Sequence, residues 1–198
     1  MTSFGLSYDY RCPFAKNIHL HVLAALAAGA DFNVEFIPWT MSQGHRAPGV
    51  IDVWEDPEHD SALLALAVSV SVRDQQSELF LSTHEALFRA RHERAIRLVN
   101  LSEIEEVLLP LGVDMDKVAA DVASRRPHRV IAENFHVMQS YEAFGVPTFV
   151  VNSDATFVRF MKPPNGDGLA SAQIIESLVA LMAHQPDLNE FKHTRVPN

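Results

Sequence analysis

Two hydrophobic periods follow one another in the first forty residues, and this order limits the fold more than any other feature of the chain. Over residues 3–10, apolar side chains occupy every second position, which is the period of a β-strand. Residues 14–28 are rich in Ala, Leu and Ile, and the Gly29 behind them is typical of a helix C-terminus. A second strand is predicted over residues 33–38. Such a β-α-β unit requires parallel strands joined by a right-handed crossover.

The middle of the chain predicts a loop and then a series of helices. Residues 41–57 contain two glycines and two prolines, which predict a loop. Residues 58–126 are predicted to be helical, with Ser102 and Glu105 as a capping box. Within this region Gly112 is predicted to end one helix, and Asp114 is predicted to cap the next.

The last third of the chain predicts a helix followed by a β-β-α unit. The helix opens at Pro127 and runs to about Phe144. The elements predicted after it are a strand over residues 149–151, a turn over 152–154, a strand over 157–161 and a helix over 171–183. The tail, residues 185–198, has no periodicity, and Leu188 and Phe191 are its candidates for packing onto the rest of the protein.

The single cysteine of the chain lies where the first predicted strand gives way to the first predicted helix. Pro13 follows Cys12 and suits the first position of a helix. Far downstream, the segment Val146-Pro147-Thr148 leads into the predicted third strand. A thiol at a helix start and a proline at a strand start are each weak signals of the fold. Found together at these places in the element order, they are specific for one fold.

The C-P-F-A segment that begins at Cys12 and the V-P-T segment that begins at Val146 resemble the thioredoxin fold with a helical insertion. This is the layout of the DsbA-like family, which also includes the kappa-class glutathione transferases and the 2-hydroxychromene-2-carboxylate isomerases. The resemblance implies an α/β protein in which a β-α-β unit is completed by a later β-β-α unit. It divides the chain into a discontinuous thioredoxin-like domain of residues 1–58 and 127–185, a helical insertion of residues 59–126 and a C-terminal tail of residues 186–198.

Two positions bear on the reaction that such a protein could perform. Ala15 stands where a second cysteine would complete a C-x-x-C pair, so the chain has no partner for an internal disulfide. In the transferase and isomerase relatives, the position of Cys12 more often carries a serine. The resemblance is therefore more specific for the fold than for the chemistry.

The position of Cys12 predicts a reactive thiol. A cysteine at a helix N-terminus faces unpaired backbone N–H groups and the positive end of the helix dipole. Both should lower the pKa of the thiol by roughly one unit from about 8.5. Arg11 and Lys16 would lower this pKa further if they lie close to the sulfur. The competing interpretations are an inert, buried thiol and two solvated surface cations.

The proline that matches Pro147 is cis in thioredoxin-like proteins and abuts the active-site sulfur. By this resemblance, the backbone of Val146 would offer N–H and C=O groups to a bound peptide or thiol, as an added strand does. Judged without the resemblance, a trans proline at the start of a strand is the default. The residues predicted to bind the substrate or thiol are Tyr10, Arg11, Pro13, Phe14, Ala15, Lys16, Val146, Pro147 and Thr148. Of these, Tyr10 and Phe14 also fit a simple packing role.

Three functions are compatible with these residues. In the first, Cys12 acts alone in thiol-disulfide exchange with a low-molecular-weight thiol, for which glutathione, mycothiol and related thiols are the alternatives. In the second, the protein is a thiol-dependent transferase or isomerase of the kappa-class type. In the third, it is a thioredoxin-like binding module whose cysteine is a relic or a redox sensor. A cysteine at position 12 favours the first.

Charge and composition restrict the partners. The formal net charge of −9 argues against nucleic acid and anionic membranes, because both select basic surfaces. The first residues lack the basic and apolar regions of a signal peptide, and together with the single cysteine this predicts a reducing, cytoplasmic location. The ten histidines form no recognisable metal-binding motif, and no tightly bound cofactor is predicted. A homodimer remains an open alternative.

Overall fold

The computed structural model of the protein describes residues 1–193 and residue 195. The strands are β1 (Thr2–Tyr8), β2 (Phe32–Pro38), β3 (Thr148–Val151) and β4 (Asp154–Phe157). The helices are α1 (Pro13–Ala27), α2 (Met41–Gly44), α3 (Asp60–Gln75), α4 (Phe80–Glu93), α5 (Leu101–Leu108), α6 (Met115–Ala123), α7 (Arg126–Ser140) and α8 (Gly168–His184). This mixed α/β element order confirms the predicted fold class.

The four strands form one sheet in the order β2-β1-β3-β4. Strands β1 and β2 are parallel, with a register that runs from Thr2 opposite Phe32 to Tyr8 opposite Pro38. Strand β3 is antiparallel to β1, and β4 is antiparallel to β3. The sheet therefore joins an N-terminal β-α-β unit to a C-terminal β-β-α unit through β1 and β3.

Strand β1 lies in the interior of the protein and delivers the chain to the start of α1. Every residue from Phe4 to Tyr10 is buried, including the polar Ser7 and Asp9. Helix α1 packs against α8 and α4, while α3 packs against α4, α6 and α7. The strict alternation of residues 3–10 predicts one apolar face, but the side chains on both faces of the observed strand are buried, because helices pack over the sheet.

The hairpin of β3 and β4 is tighter than the sequence predicts. Asn152 and Ser153 both have left-handed backbone conformations, with φ of 50° and 70°, and they alone form the turn. Asp154 therefore pairs with Val151, and β4 begins at once. The predicted strand over residues 157–161 is placed about three residues too late, because asparagine and serine complete a two-residue turn on their own.

The capping box of α5 lies two residues before the predicted one. Asn100, not Ser102, is the N-cap, and its side-chain oxygen accepts a hydrogen bond from the Glu103 backbone N–H at 2.9 Å. The Glu103 carboxylate in turn accepts from the Val99 N–H at 3.1 Å. An asparagine followed three residues later by glutamate has the same spacing as the Ser102–Glu105 pair, and here the glutamate reaches the N–H one residue before the cap.

The boundaries of the other helices agree with the predictions in part. Asp114 caps α6 as predicted, and Gly112 is left-handed at the end of the preceding turn, with φ of 80°. The predicted loop over 41–57 contains the short helix α2. Helix α7 ends at Ser140 rather than near Phe144.

The C-terminal tail does not pack as predicted over its described part. Leu188 and Phe191 are 51% and 82% exposed, so neither joins the core. The part of the tail prediction that concerns residues 194 and 196–198 lies outside the described residues.

Candidate functional site

Cys12 is the N-cap residue of α1, and its sulfur contacts the loop before β3. The backbone N–H of Ala15 donates a hydrogen bond to the Cys12 sulfur at 3.4 Å. The thiol in turn lies 3.3 Å from the carbonyl oxygen of Val146, to which it donates. The peptide bond between Val146 and Pro147 is cis. Two segments more than 130 residues apart in sequence therefore meet at the sulfur.

The loop that carries Pro147 is fixed from three sides. The Thr148 N–H donates to the Ser7 hydroxyl at 2.9 Å, which ties the loop to β1. The Thr148 hydroxyl donates to the Gly145 carbonyl at 2.7 Å, and the Val158 N–H donates to the Pro147 carbonyl at 3.2 Å. The side chain of Thr148 is buried in the core. Thr148 thus holds the loop in position and does not offer its side chain to a ligand.

The thiol is less acidic than the sequence predicts. Cys12 is only 5% exposed, and this burial raises the pKa of its thiol above the usual value, although hydrogen bonds from the Ala15 and Phe14 N–H groups act to lower it. The negative charge of Asp9 raises the pKa further. The predicted lowering of the Cys12 pKa is therefore wrong. Desolvation of the charged form outweighs the helix N-terminus.

The two cations next to Cys12 are already paired with carboxylates. Arg11 forms a salt bridge with the buried Asp9 and also donates to the Thr40 and Ser42 hydroxyls. Lys16 lies 3.8 Å from a carboxylate oxygen of Glu93. The prediction that Arg11 and Lys16 support a thiolate is corrected accordingly, because the charge of each is largely offset by its own partner.

We expect the reactivity of Cys12 to rise with pH over a higher range than that of free cysteine. Only the thiolate reacts with iodoacetamide, so the alkylation rate follows ionisation of the thiol. Its midpoint should lie above about 8.5, the value of an unperturbed thiol. The control is the same chain unfolded in guanidinium chloride. A folded-state midpoint at or below that of the unfolded chain would show that burial does not dominate.

The other predicted binding residues differ in their access to the site. Pro13 is exposed, and Phe14 is half-buried beside it at the start of α1. Ala15 is fully buried, and its N–H is bonded to the sulfur. Tyr10 is 1% exposed, and its hydroxyl bonds to His84 at 2.7 Å, so it belongs to the core. The prediction that the Tyr10 side chain binds the substrate is corrected by this burial.

A buried chain of hydrogen bonds extends from Tyr10 through two histidines. The Tyr10 hydroxyl meets Nδ1 of His84, Nε2 of His84 meets Nδ1 of His19 at 2.9 Å, and Nε2 of His19 meets the Ser7 carbonyl at 3.2 Å. A carbonyl only accepts, so His19 must carry its proton on Nε2. His84 then donates from Nε2 and accepts from Tyr10. Each hydrogen bond between Tyr10, His84, His19 and Ser7 therefore has one defined donor, and both imidazoles are neutral.

Burial keeps these two histidines uncharged. It lowers the pKa of His19 to about 3 and the pKa of His84 well below its ordinary value, the latter aided by repulsion from His19. Spacing along the chain gives no signal for a contact between residues 19 and 84, since it arises only when α1 packs against α4.

Two further residues near the thiol were missed at the level of sequence. Asp9 accepts hydrogen bonds from the Arg11 backbone and guanidinium and from the Met41 N–H, so it joins the Cys12 turn to α2. Arg159 places its guanidinium over the ring of Phe14, 5.4 Å from the ring centre. Asp9 could have been found from the sequence, because it lies three residues before a cysteine at a helix start. No signal in the sequence pointed to Arg159.

The family comparison places this site in a known class. The family model of the DSBA-like thioredoxin domain matches residues 6–162. No curated protein matches the chain at a significant level. Fold and site together define a thioredoxin-fold protein with one cysteine at the start of its first helix. The chain belongs to the DSBA-like thioredoxin domain family.

Solved structures show the same fold. The cytosolic disulfide reductase DsbM from Pseudomonas aeruginosa with GSH is 15% identical, with a TM-score of 0.62 and coverage of 90% of this chain and 100% of that one. ScsC of Proteus mirabilis in a compact conformation is 16% identical, with a TM-score of 0.58 and coverage of 91% and 85%. DsbA from Xylella fastidiosa is 20% identical, with a TM-score of 0.55 and coverage of 91% and 85%. At these identities the likeness concerns the fold alone.

Two kinds of structural feature are absent from the described residues. No helix in that part of the chain is long and apolar enough to cross a membrane. Over the same residues, no three or more histidine, cysteine, aspartate or glutamate side chains are grouped so that they could hold a metal ion.

Proposed function

We propose that this protein carries out monothiol thiol-disulfide exchange through Cys12, with a low-molecular-weight thiol as co-substrate. The observation that carries the proposal is the contact of 3.3 Å between the Cys12 sulfur and the Val146 carbonyl, at the N-cap of α1 and beside Pro147. Cys12 is the single cysteine of the chain and Ala15 holds the position of a resolving cysteine, so no second thiol of the chain can resolve a bond formed there.

The reaction proceeds in two displacements. The Cys12 thiolate attacks the thiol-derived sulfur of a mixed disulfide, forms a new S–S bond with it and releases the other sulfur as a thiolate, which takes up a proton from water. A second molecule of the small thiol then attacks the sulfur attached to Cys12. This step releases Cys12 and forms the disulfide of the small thiol. Overall, the mixed disulfide and one molecule of the free small thiol are converted into the free thiol of the substrate and the disulfide of the small thiol.

The raised pKa of Cys12 affects the rate of this reaction but does not prevent it. Fewer molecules carry a thiolate at neutral pH, but a thiolate of higher pKa is intrinsically the better nucleophile. The N–H groups of Ala15 and Phe14 remain in place to stabilise the anion as it forms. A substrate that pairs with the backbone at Val146 would lie beside the sulfur, as an added strand lies along a sheet edge.

Glutathione is the thiol with which the proposal should be tested first. The structurally similar DsbM was solved with GSH and is described as a cytosolic disulfide reductase. A cytoplasmic location for this protein would supply such a thiol in reduced form. Mycothiol and related thiols are the alternatives, and they share the same sulfur chemistry.

A paired assay tests the proposal on one preparation. Wild-type protein should accelerate the glutathione-dependent reduction of a mixed disulfide between glutathione and a small thiol, and Cys12→Ser should lose this acceleration. The matched control Ser42→Ala changes a hydroxyl near the site and leaves the sulfur in place. Equal rates in wild type and Cys12→Ser would show that the reaction does not use this thiol.

A second function is favoured by one specific observation, which is that the Cys12 thiol is neutral and donates a hydrogen bond. A neutral S–H can hydrogen-bond the sulfur of a bound thiol, which is the role of the serine in transferase and isomerase relatives. In that case the protein should conjugate glutathione to a chromogenic electrophile, and Cys12→Ser should retain this activity. Loss of conjugation in Cys12→Ser, with exchange present in wild type, leaves the exchange reaction as the function.

A further inference from the structure

Arg159 follows the segment that closes over the loop of Pro147. The Val158 N–H is bonded to the Pro147 carbonyl at 3.2 Å, and the Phe160 carbonyl accepts from the Asn17 side chain at 2.9 Å. The backbone on both sides of Arg159 is thus attached, once to the cis-proline loop and once to α1. This double attachment places the arginine at the rim of the site that holds Cys12.

Two aromatic rings orient the guanidinium. Its central carbon lies 5.4 Å from the ring centre of Phe14 and 5.9 Å from that of Phe157. Phe14 is two residues from Cys12 in the first turn of α1. Phe157 packs against Phe144 with ring centres 5.0 Å apart. An arginine held over aromatic faces keeps its planar set of N–H donors presented to solvent with little freedom left to lose on binding.

The guanidinium of Arg159 forms no ion pair within the part of the protein that the structure describes. Over residues 1–193 and 195, it has no carboxylate within 4.0 Å and no hydrogen bond, whereas the nearby Arg11 and Lys16 are each paired. The side chain is exposed. The protein as a whole carries a net charge of −9, which repels anions. A local unpaired guanidinium is what a small anionic ligand would need to approach this surface.

We propose that Arg159 binds a carboxylate of the small thiol and makes the site selective for acidic thiols over neutral ones. This inference rests on the proposed exchange reaction at Cys12. A guanidinium binds a carboxylate through two parallel hydrogen bonds, so it fixes orientation as well as charge. Arg159 is therefore a specificity-determining residue that leaves the sulfur chemistry itself to Cys12.

The test compares glutathione, which has two carboxylates, with glutathione diethyl ester, in which both are neutralised. Replacing Arg159→Gln should raise the half-saturating concentration of glutathione about three- to tenfold, the effect of losing one charge-assisted contact at an exposed site. The value for the diester should stay unchanged. The matched control Arg129→Gln removes an exposed arginine from α7, with the same change in net charge, and should alter neither value.

Equal half-saturating concentrations of glutathione in wild type and Arg159→Gln, with exchange intact, would overturn the role of Arg159 and leave the proposed function standing. If wild type shows no exchange at all, the proposed function fails, and binding decides the inference separately. Calorimetric titration of glutathione into Cys12→Ser and into Cys12→Ser/Arg159→Gln should then show three- to tenfold weaker binding in the second protein. Equal affinities in the two proteins would contradict the assignment.

Discussion

Lowering the pH from about 7 to about 5 is expected to reduce the free energy of unfolding by about 4 kcal/mol through His19 and His84 alone. Both pKa values are depressed in the folded protein, to about 3 for His19 and well below the ordinary value for His84. The unfolded chain therefore binds protons first, near its ordinary pKa of about 6.5. Stability is fully present above that pH and is lost as the pH falls from there toward 3.

The hydrogen bonds of His19 and His84 explain in structural terms why stability is lost when either ring is protonated. A proton added to Nδ1 of His19 would face the N–H of His84 and break the bond between the two rings, and a proton added to Nδ1 of His84 would face the Tyr10 hydroxyl. Both side chains are fully buried, so bulk solvent does not reach the contact. Each histidine contributes about half of the expected change, because each takes up one proton on unfolding.

Urea unfolding followed at several pH values measures this dependence. The double variant His19→Gln/His84→Gln should lose about 4 kcal/mol less than wild type over the same pH interval, whatever its stability at pH 7. His45→Gln, at an exposed position, is the control and should follow wild type. Burial also lowers the pKa of His21, His92 and His128, so a residual slope of the same sign should remain. Identical slopes in wild type and the double variant would contradict the assignment.

Replacing Ala15 with cysteine is expected to convert a protein with no internal disulfide into one that oxidises completely to a bond between Cys12 and the introduced thiol. The Ala15 backbone nitrogen lies 3.4 Å from the Cys12 sulfur, so a thiol on that residue falls within bonding range. A C-x-x-C pair at a helix start is also the arrangement that forms a reversible disulfide. The buried position leaves little room for the added sulfur, and a cost of about 1–3 kcal/mol in stability is expected.

Thiol counting before and after oxidation by air measures this conversion. Ala15→Cys should fall from two reactive thiols to none in the unfolded, oxidised protein, and its mass should decrease by that of two hydrogens. Ala15→Ser, which adds a side chain of similar size without a second thiol, should keep one. Persistence of two free thiols in Ala15→Cys would show that position 15 does not face the sulfur.

The order of elements was accessible from sequence because it depends on local patterns. The period of residues 3–10, Pro13 at a helix start and Gly112 at a helix end each act over a few residues, and the structure shows the elements they predict. Where two local signals competed, the boundary moved. Asn100 displaced Ser102 as a cap, and the turn at Asn152 and Ser153 shifted β4.

The electrostatics of the site were not accessible in the same way. The pKa of Cys12 depends on how much of the protein covers the sulfur, and that coverage comes from the Val146 loop, which lies far away in sequence. The sequence prediction treated Arg11 as a free cation, because the burial of the neighbouring Asp9 follows only from the packing of the folded protein. Arg159 reaches Phe14 only because the segment after β4 is attached to Pro147 and to α1.

Intact-mass spectrometry of the protein during exchange is the most direct test of the central claim that Cys12 alone carries the reaction. Mixing wild-type protein with glutathione disulfide should add the mass of one glutathione, attached at Cys12, and added glutathione should remove it at the rate of turnover. The Cys12→Ser variant should show no adduct. A wild-type protein that turns over mixed disulfides without this adduct, or holds an adduct that glutathione does not release, would contradict the account.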